Sequence, residues 1–416
     1  MTTTWFRPSD LPDEWRSVPL RRVGRVLNGG TPAADPSNWG GEIPFVTPPD
    51  LNGVDGAVLK STGRTLSKSG AKGAGLAPAG SVLVSTRAPI GHVGRVAEKS
   101  AFNQGCRAVA PQEGTDPRYV AVVLVAARAE LTARGQGTTF FELSSSALAS
   151  ILTPLPPLDE QRAIADYLDR ETAQIDALVA KQEEFIGLLR ERRIAEITAG
   201  VELERPNSTF RRHVTNLRQG WSPNAEQFPA DGVTEWGVLK VGCSTAGVFR
   251  PQENKKLPPD VAPRPEHAVR VGELVISRSN TRELVGSAAV VPSGYPRLML
   301  SDLNYGLTAA SSLDPNFAAY ALLTRRARGE LISRAKGTSP SMQKLAQRDV
   351  LDIPLWVPPI DEQREIVERI DEQTARIDIL ITKAEEHIAL AKERRSALIT
   401  AAVTGQFDVR TARKAG

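Results

Sequence analysis

The chain is poor in cysteine and in aromatic residues, and it has no long apolar run. Cys106 and Cys243 are the only cysteines in 416 residues, too few for a disulfide scaffold or a four-cysteine zinc site. The longest apolar run, Tyr119 to Ala127 between Arg118 and Arg128, is about half of the roughly 20 residues a bilayer-spanning helix needs. No membrane association is therefore expected. The start Met1-Thr2-Thr3-Thr4-Trp5 lacks the basic and apolar regions of a secretory signal, and with so little cysteine a cytoplasmic location is predicted. Aromatics make up 5% of the chain, which argues against a single-strand binder built on base stacking.

Several catalytic signatures are missing as well. There is no Gly-x-x-x-x-Gly-Lys-Ser/Thr loop for a nucleotide phosphate. The four histidines, at 92, 213, 267 and 387, form no His-x-x-x-His pair, and there is no Cys-x-x-Cys. Thr47-Pro48-Pro49-Asp50 is superficially like the loop with which amino-methyltransferases grip a flipped base. It lacks the leading amide or acid and the trailing aromatic, and reads as a strand-ending turn. Glu253-Asn254-Lys255 precedes Pro259-Asp260, the wrong order for a metal-dependent nuclease of the Pro-Asp, Glu-x-Lys type. No catalytic residue, metal site or cofactor is expected in this chain.

What the chain does have is a duplication. Residues 156–201 and 358–403 align at an offset of 202 with 26 identities in 46 positions. The copies open Pro156-Pro157-Leu158-Asp159-Glu160-Gln161-Arg162 and Pro358-Pro359-Ile360-Asp361-Glu362-Gln363-Arg364 and share Glu-Arg-Arg at 191–193 and 393–395. Both are rich in Ala, Leu, Glu, Gln and Arg, so each predicts one long helix of about 40 residues and roughly 60 Å. Asp159 and Asp361 stand where N-caps would lie. Ile164, Leu168, Ile175 and Leu178, and likewise Ile366, Ile370, Ile377 and Leu380, recur at spacings of four, seven and three. Such a narrow seam needs a partner helix, and the other copy, running antiparallel, is the obvious one. The alternative is that each helix caps its own domain. Gln161, Gln182, Glu171 and Arg192, with Gln363, Gln373, His387 and Arg394, interrupt the seam as register-setting polar layers or as docking places for another protein.

Each helix follows a segment of about 150 residues rich in short apolar runs and turn residues. Ser81–Ser85 and Gly91–Val96 predict strands in the first, with a helix near Pro117 to Arg134. Val238–Val241, Leu274–Ser277 and Ala288–Val291 predict strands in the second, with a helix from Pro315 to Ala335. The predicted fold class is α+β: two similar mixed α/β domains separated by two long helices in an antiparallel coiled coil, with pseudo-twofold symmetry. The expected boundaries are 1–155, 156–203 for the central spacer helix, 204–357, 358–405 for the C-terminal spacer helix, and a basic tail, 406–416. Charge divides accordingly. Residues 159–196 carry −4 and 361–398 carry −3, so a chain of net +4 places +11 elsewhere. That excess suits a surface meeting phosphates, although mild basicity also serves solubility alone.

The duplicated Pro-Pro-Leu-Asp-Glu-Gln-Arg helix start, placed after each of two globular segments, resembles the specificity (S) subunit of type I restriction-modification enzymes, over nearly the whole chain. Asn28-Gly29-Gly30-Thr31-Pro32, Ile43-Pro44-Phe45-Val46, Gly80–Ser85, Asn103-Gln104-Gly105 and Gly137-Thr138-Thr139 resemble that family's target-recognition domain. Gly272–Arg278, Arg282–Gly286 and Gly337-Thr338-Ser339 resemble another variant of it, which has Arg218-Gln219-Gly220-Trp221-Ser222-Pro223 in place of the Gly-Gly-Thr-Pro start. The resemblance implies a non-catalytic subunit that reads the two parts of a gapped double-stranded DNA site. It implies two modification subunits that methylate adenine N6 with S-adenosylmethionine, and a restriction/translocase subunit that can join them. A stand-alone DNA-binding scaffold or regulator would share the architecture, and a fused restriction enzyme is a further alternative.

Phosphate contacts are expected from Gly30, Thr31, Thr138 and Thr139, with Lys60, Lys68 and Lys72 near by, and in the second segment from Lys240, Lys336, Thr338 and Ser341. Base reading calls for side chains with paired donors or a donor and an acceptor. Arg87 and Gln104 are the candidates in the first segment, and Arg278, Asn280, Arg282 and Gln343 in the second.

Overall fold

The computed structural model describes residues 5–87, 89–136, 142–202, 204–337 and 342–412. Two helices of 44 residues dominate it, a central helix Leu158–Val201 and a C-terminal helix Ile360–Val403. The amide of Gln161 already bonds the Pro157 carbonyl at 2.9 Å, and that of Gln363 bonds Pro359 at 3.0 Å. Asp159 and Asp361 therefore lie inside the first turn and are not caps, because the helices begin one residue earlier. There the carboxylates still favour the positive end of the helix dipole.

The chain forms two compact units, 1–182 with 387–416 and 183–386. Each contains one globular segment and part of both long helices. In unit 1, β1 (Gly24–Asn28), β2 (Val82–Ser85), β3 (Val93–Arg95) and β4 (Cys106–Pro111) form an antiparallel sheet in the order β1-β4-β2-β3. A second sheet orders Arg64–Leu66, Trp39–Val46, Ser100–Phe102 and Gly75–Ala77. Strand alternation sends Val82 and Val84 toward the helix α1 (Pro117–Ala126), where Val120, Ala121 and Leu124 meet them, and Leu83 toward Val46 and Phe102. This is why all of β2 is buried.

Unit 2 repeats the plan. Its β5 (Val214–Gln219), β6 (Leu274–Ser277), β7 (Ala288–Val290) and β8 (Asn304–Ala309) run in the order β5-β8-β6-β7. The helix α2 (Pro315–Ala321) is capped by Asp314 just as α1 is by Asp116. Both predicted domain helices are broken. After α1 the chain restarts at Arg128–Ala133, and after α2 at Arg325–Arg334. The predicted strand Val238–Val241 is Gly237–Leu239, since Val241 opens a 3-10 turn.

Within each unit the long helices pack against each other in antiparallel sense. In unit 1, Ile164 and Leu168 share a core with Ile399, Ala402 and Val403, and Asp176 pairs with Arg395 at 2.9 Å. In unit 2, Arg190 meets Glu385 at 3.0 Å, Arg193 meets Asp378 at 2.8 Å, and Gly200 lies so near Ile370 that an added Cβ would come within 2.8 Å. As one number rises the other falls. Each helix serves both units, so the alternative of separate caps does not hold. Ile366, Ile370 and Ile377 are buried and Ile175 is half-buried, but Leu178 and Leu380 are 51% and 43% exposed and leave the expected seam. Three residues after Ile175 or Ile377, a side chain has turned back by about 60° on a helix of 3.6 residues per turn, to the margin of the contact.

Of the polar interruptions, Gln161 and Gln363 have a role that the seam did not reveal. Both are buried. Gln161 accepts from the Asp116 amide at 3.0 Å and donates to the Pro156 carbonyl at 2.9 Å, and Gln363 accepts from Asp314 at 2.8 Å and donates to Pro358 at 2.8 Å and Ser312 at 2.9 Å. Each amide fastens its long-helix start to the loop that opens α1 or α2.

Candidate nucleic-acid interface

Strand register places the polar cluster of unit 1. Asn28, ending β1, lies opposite Arg107 of β4. Arg107 donates from Nε to Ser145 Oγ at 2.7 Å, from Nη1 to the Gln104 carbonyl at 2.8 Å, and from Nη2 to Glu142 Oε1 at 3.1 Å. Ser145 in turn bonds Asn28, and Thr31 bonds the Gln104 side chain. The second Glu142 oxygen accepts from Arg87 Nε at 3.0 Å. Three candidates, Thr31, Gln104 and Arg87, thus join one network at the ends of β1, β2 and β4.

Glycines let the backbone close around it. A Cβ on Gly29 would fall 1.8 Å from the Asn103 carbonyl oxygen, and Gly30 rests against Gly73 and Gly75, which brings Lys72 to the same edge. Lys68 is exposed beside this turn. Lys60 instead lines a cavity of about 250 Å³ with Thr62, Thr65 and Glu98. Thr138 and Thr139 lie outside the described residues.

In unit 2 the same places are filled by other chemistry. Hydrogen-bonding register makes Tyr305 the counterpart of Arg107, Gln219 that of Asn28, and Arg278 that of Thr86 rather than Arg87. Arg278 donates to Tyr305 Oη and to the Asp302 carbonyl, both at 3.1 Å, and Tyr305 donates to the Leu345 carbonyl at 3.0 Å. Gln219 also bonds Asp302, at 2.9 Å. Trp221 stands where unit 1 has Gly30, with the Arg264 guanidinium 4.1 Å from its ring centroid. Arg218 forms a two-pronged pair with Glu273, at 2.7 and 2.6 Å, so it braces the sheet.

Other candidates in unit 2 separate. Asn280 is buried, donates to Ser277 Oγ at 3.2 Å and accepts from the Thr281 amide. It holds its own turn, opposite Gln343 in an antiparallel strand pair. Gln343 donates to the Gly337 carbonyl at 3.3 Å. Arg282 and Lys336 are exposed, and Lys240 pairs loosely with Glu253 at 3.7 Å. Thr338 and Ser341 lie outside the described residues. Sequence reading missed Asn28, Arg107, Glu142, Ser145 and Tyr305. The strand register is the only signal that would have grouped them.

Both units are tied to the long helices by a matched device. Arg395 meets Asp176 and lies 4.0 Å from Asp55, whereas Arg193 meets Asp378 and donates to the Ala246 carbonyl at 2.8 Å. Asp55 and Ala246 have φ of 44° and 55°, each is followed by a left-handed glycine, and those glycines pack against Val125 of α1 and against Leu323 beyond α2. Near the first turn, burial foremost and Arg128 next push the His92 imidazole below its ordinary value, while Asp55 opposes them. Burial pushes the Cys106 and Cys243 thiols up to about 12, so neither is primed as a nucleophile.

The repeated sheets, each with a polar cluster at one edge, define a duplicated α+β architecture. Residues 12–185 match the type I restriction modification DNA specificity domain. The specificity subunit of type I restriction enzyme MjaIX from Methanocaldococcus jannaschii is 31% identical over 173 residues, 40% of this chain and 40% of that one. The match thus spans under half of that relative's length. The StySPI specificity subunit of Salmonella potsdam is 21% identical, over 95% of this chain and 90% of its own. A solved structure described as the "structural basis underlying complex assembly and conformational transition of the type I R-M system" is similar in fold, with a TM-score of 0.63 at 18% identity, covering 95% of this chain and 99% of that one. Over residues 12–185 this chain is thus similar to the type I restriction modification DNA specificity domain, and in fold it is similar to a protein of a type I restriction-modification system over nearly its whole length.

Proposed function

We propose that this chain is the non-catalytic subunit that gives a type I restriction-modification complex its DNA sequence specificity. Residues 1–155 read one half of a gapped duplex site and 204–357 the other. The paired spacer helices, 156–203 and 358–405, set the gap and dock two modification subunits. Those partners bind S-adenosylmethionine and methylate adenine N6, and restriction/translocase subunits join the assembly, in the cytoplasm. The observation that supports this most is the repeated sheet edge, with the same register but different polar side chains, as two readers of different half-sites require. Phosphate contacts fall to Gly30, Thr31, Lys68 and Lys72, and in unit 2 to Lys240 and Lys336.

Co-expression with modification subunits of a type I system from the same genome, followed by mapping of methylated adenines with and without this chain, tests the function. The expected result is one bipartite motif that disappears with the gene; an unchanged methylation pattern overturns the proposal. Deleting four residues at matched levels of both helices, about 6 Å of rod, should shorten the gap by one to two base pairs and leave both half-sites intact.

A further inference from the structure

We propose that Glu142 sets the specificity of the first recognition segment by aiming Arg87 at a base. The inference rests on the DNA-reading function above and adds the residue that makes one arginine selective. Arginine distinguishes guanine only when two of its donors are presented together in a fixed plane. An unrestrained arginine on a DNA-facing surface closes on a phosphate, whatever the sequence.

The geometry separates the two arginines that Glu142 holds. Arg107 is a strut: its side chain is only 13% exposed, and all three of its nitrogens are bonded, to Ser145, to the Gln104 and Cys106 carbonyls, and to Glu142. Arg87 is 45% exposed and is gripped through Nε alone. Among the described residues its two Nη groups have no hydrogen-bond partner, so the donors suited to a guanine edge are the ones left facing outward. Glu142 is itself fixed from both sides. Its backbone bridges Arg87 and exchanges hydrogen bonds with Gln136, both at 3.0 Å. An isolated surface ion pair would position little, but here the carboxylate is shared with a nearly buried guanidinium. Unit 2 has Lys344 at the corresponding place, next to Leu345, and orients Arg278 with Tyr305 instead. Glu142 is a positioning residue for the first half-site alone.

The full chain, in complex with its modification subunits, is titrated with duplexes altered one base pair at a time across both half-sites, at several salt concentrations. Glu142→Gln should lower discrimination at one base pair of one half-site at least tenfold. Its slope of log affinity against log salt should steepen by up to about 0.9, as Arg87 swings to a phosphate. Arg87→Ala should lose the same base preference with no steeper slope. Undiminished discrimination in Glu142→Gln, or equal loss in both half-sites, overturns the inference. If thermal melting shows that Glu142→Gln has not folded, Arg87→Ala decides: full discrimination at every position is fatal. Absence of any sequence preference in the unsubstituted complex would instead overturn the DNA-reading function, and this inference with it.

Discussion

Ala246 holds a left-handed backbone that costs an L-residue about 1–2 kcal/mol, yet the turn keeps it because Arg193 bonds its carbonyl. Ala246→Gly is therefore expected to stabilise unit 2 by about 0.5–1 kcal/mol, read as a higher denaturant midpoint with an unchanged slope. His92 gives a pH dependence. Its folded pKa lies below its unfolded value of about 6.5, so the folded state binds fewer protons in that region. Its stabilising contribution is complete above about pH 6.5 and is lost as pH falls through the folded value. His92→Gln should flatten the decline in unfolding free energy between about pH 7 and pH 5, whereas an equally steep decline would assign it to other groups. His213, also lowered by burial and by Arg212, adds the same sign in unit 2.

The long helices were legible because their apolar spacing and duplication survive in the sequence, and so was the doubled plan of the segments. The glutamine fasteners were not, since a Gln on an apolar stripe looks like an interruption until its amide is seen bridging Asp116 to Pro156. The site was legible only in part. Arg87, Gln104 and Thr31 were found by residue type and motif, but Glu142 reaches Arg87 across 55 residues, and Ser145 reaches Asn28 across 117. Asn280 carries the right amide for base reading, and only the fold reveals its bonds to Ser277 and Thr281. Gln161→Leu and Gln363→Leu should each cost about 1–3 kcal/mol, because a buried amide and carbonyl lose their partners. Each loss should appear in thermal melts, with the far-UV helical signal of the folded state retained.

For the molecule as a whole, the excess of positive charge outside the helices predicts a steep salt response. With about six phosphate contacts, affinity for duplex DNA should fall roughly a thousandfold between about 50 and 200 mM salt. A flat response would mean that the charge serves solubility alone. The two helix ion pairs carry a different lesson. Arg395 is the repeat of Arg193, and Asp378 the repeat of Asp176, yet each arginine grips the aspartate of the opposite copy. A single ancestral segment would already have owned both bolt and socket. Duplicating such a segment needs no new mating surface, because each copy brings both halves of the contact.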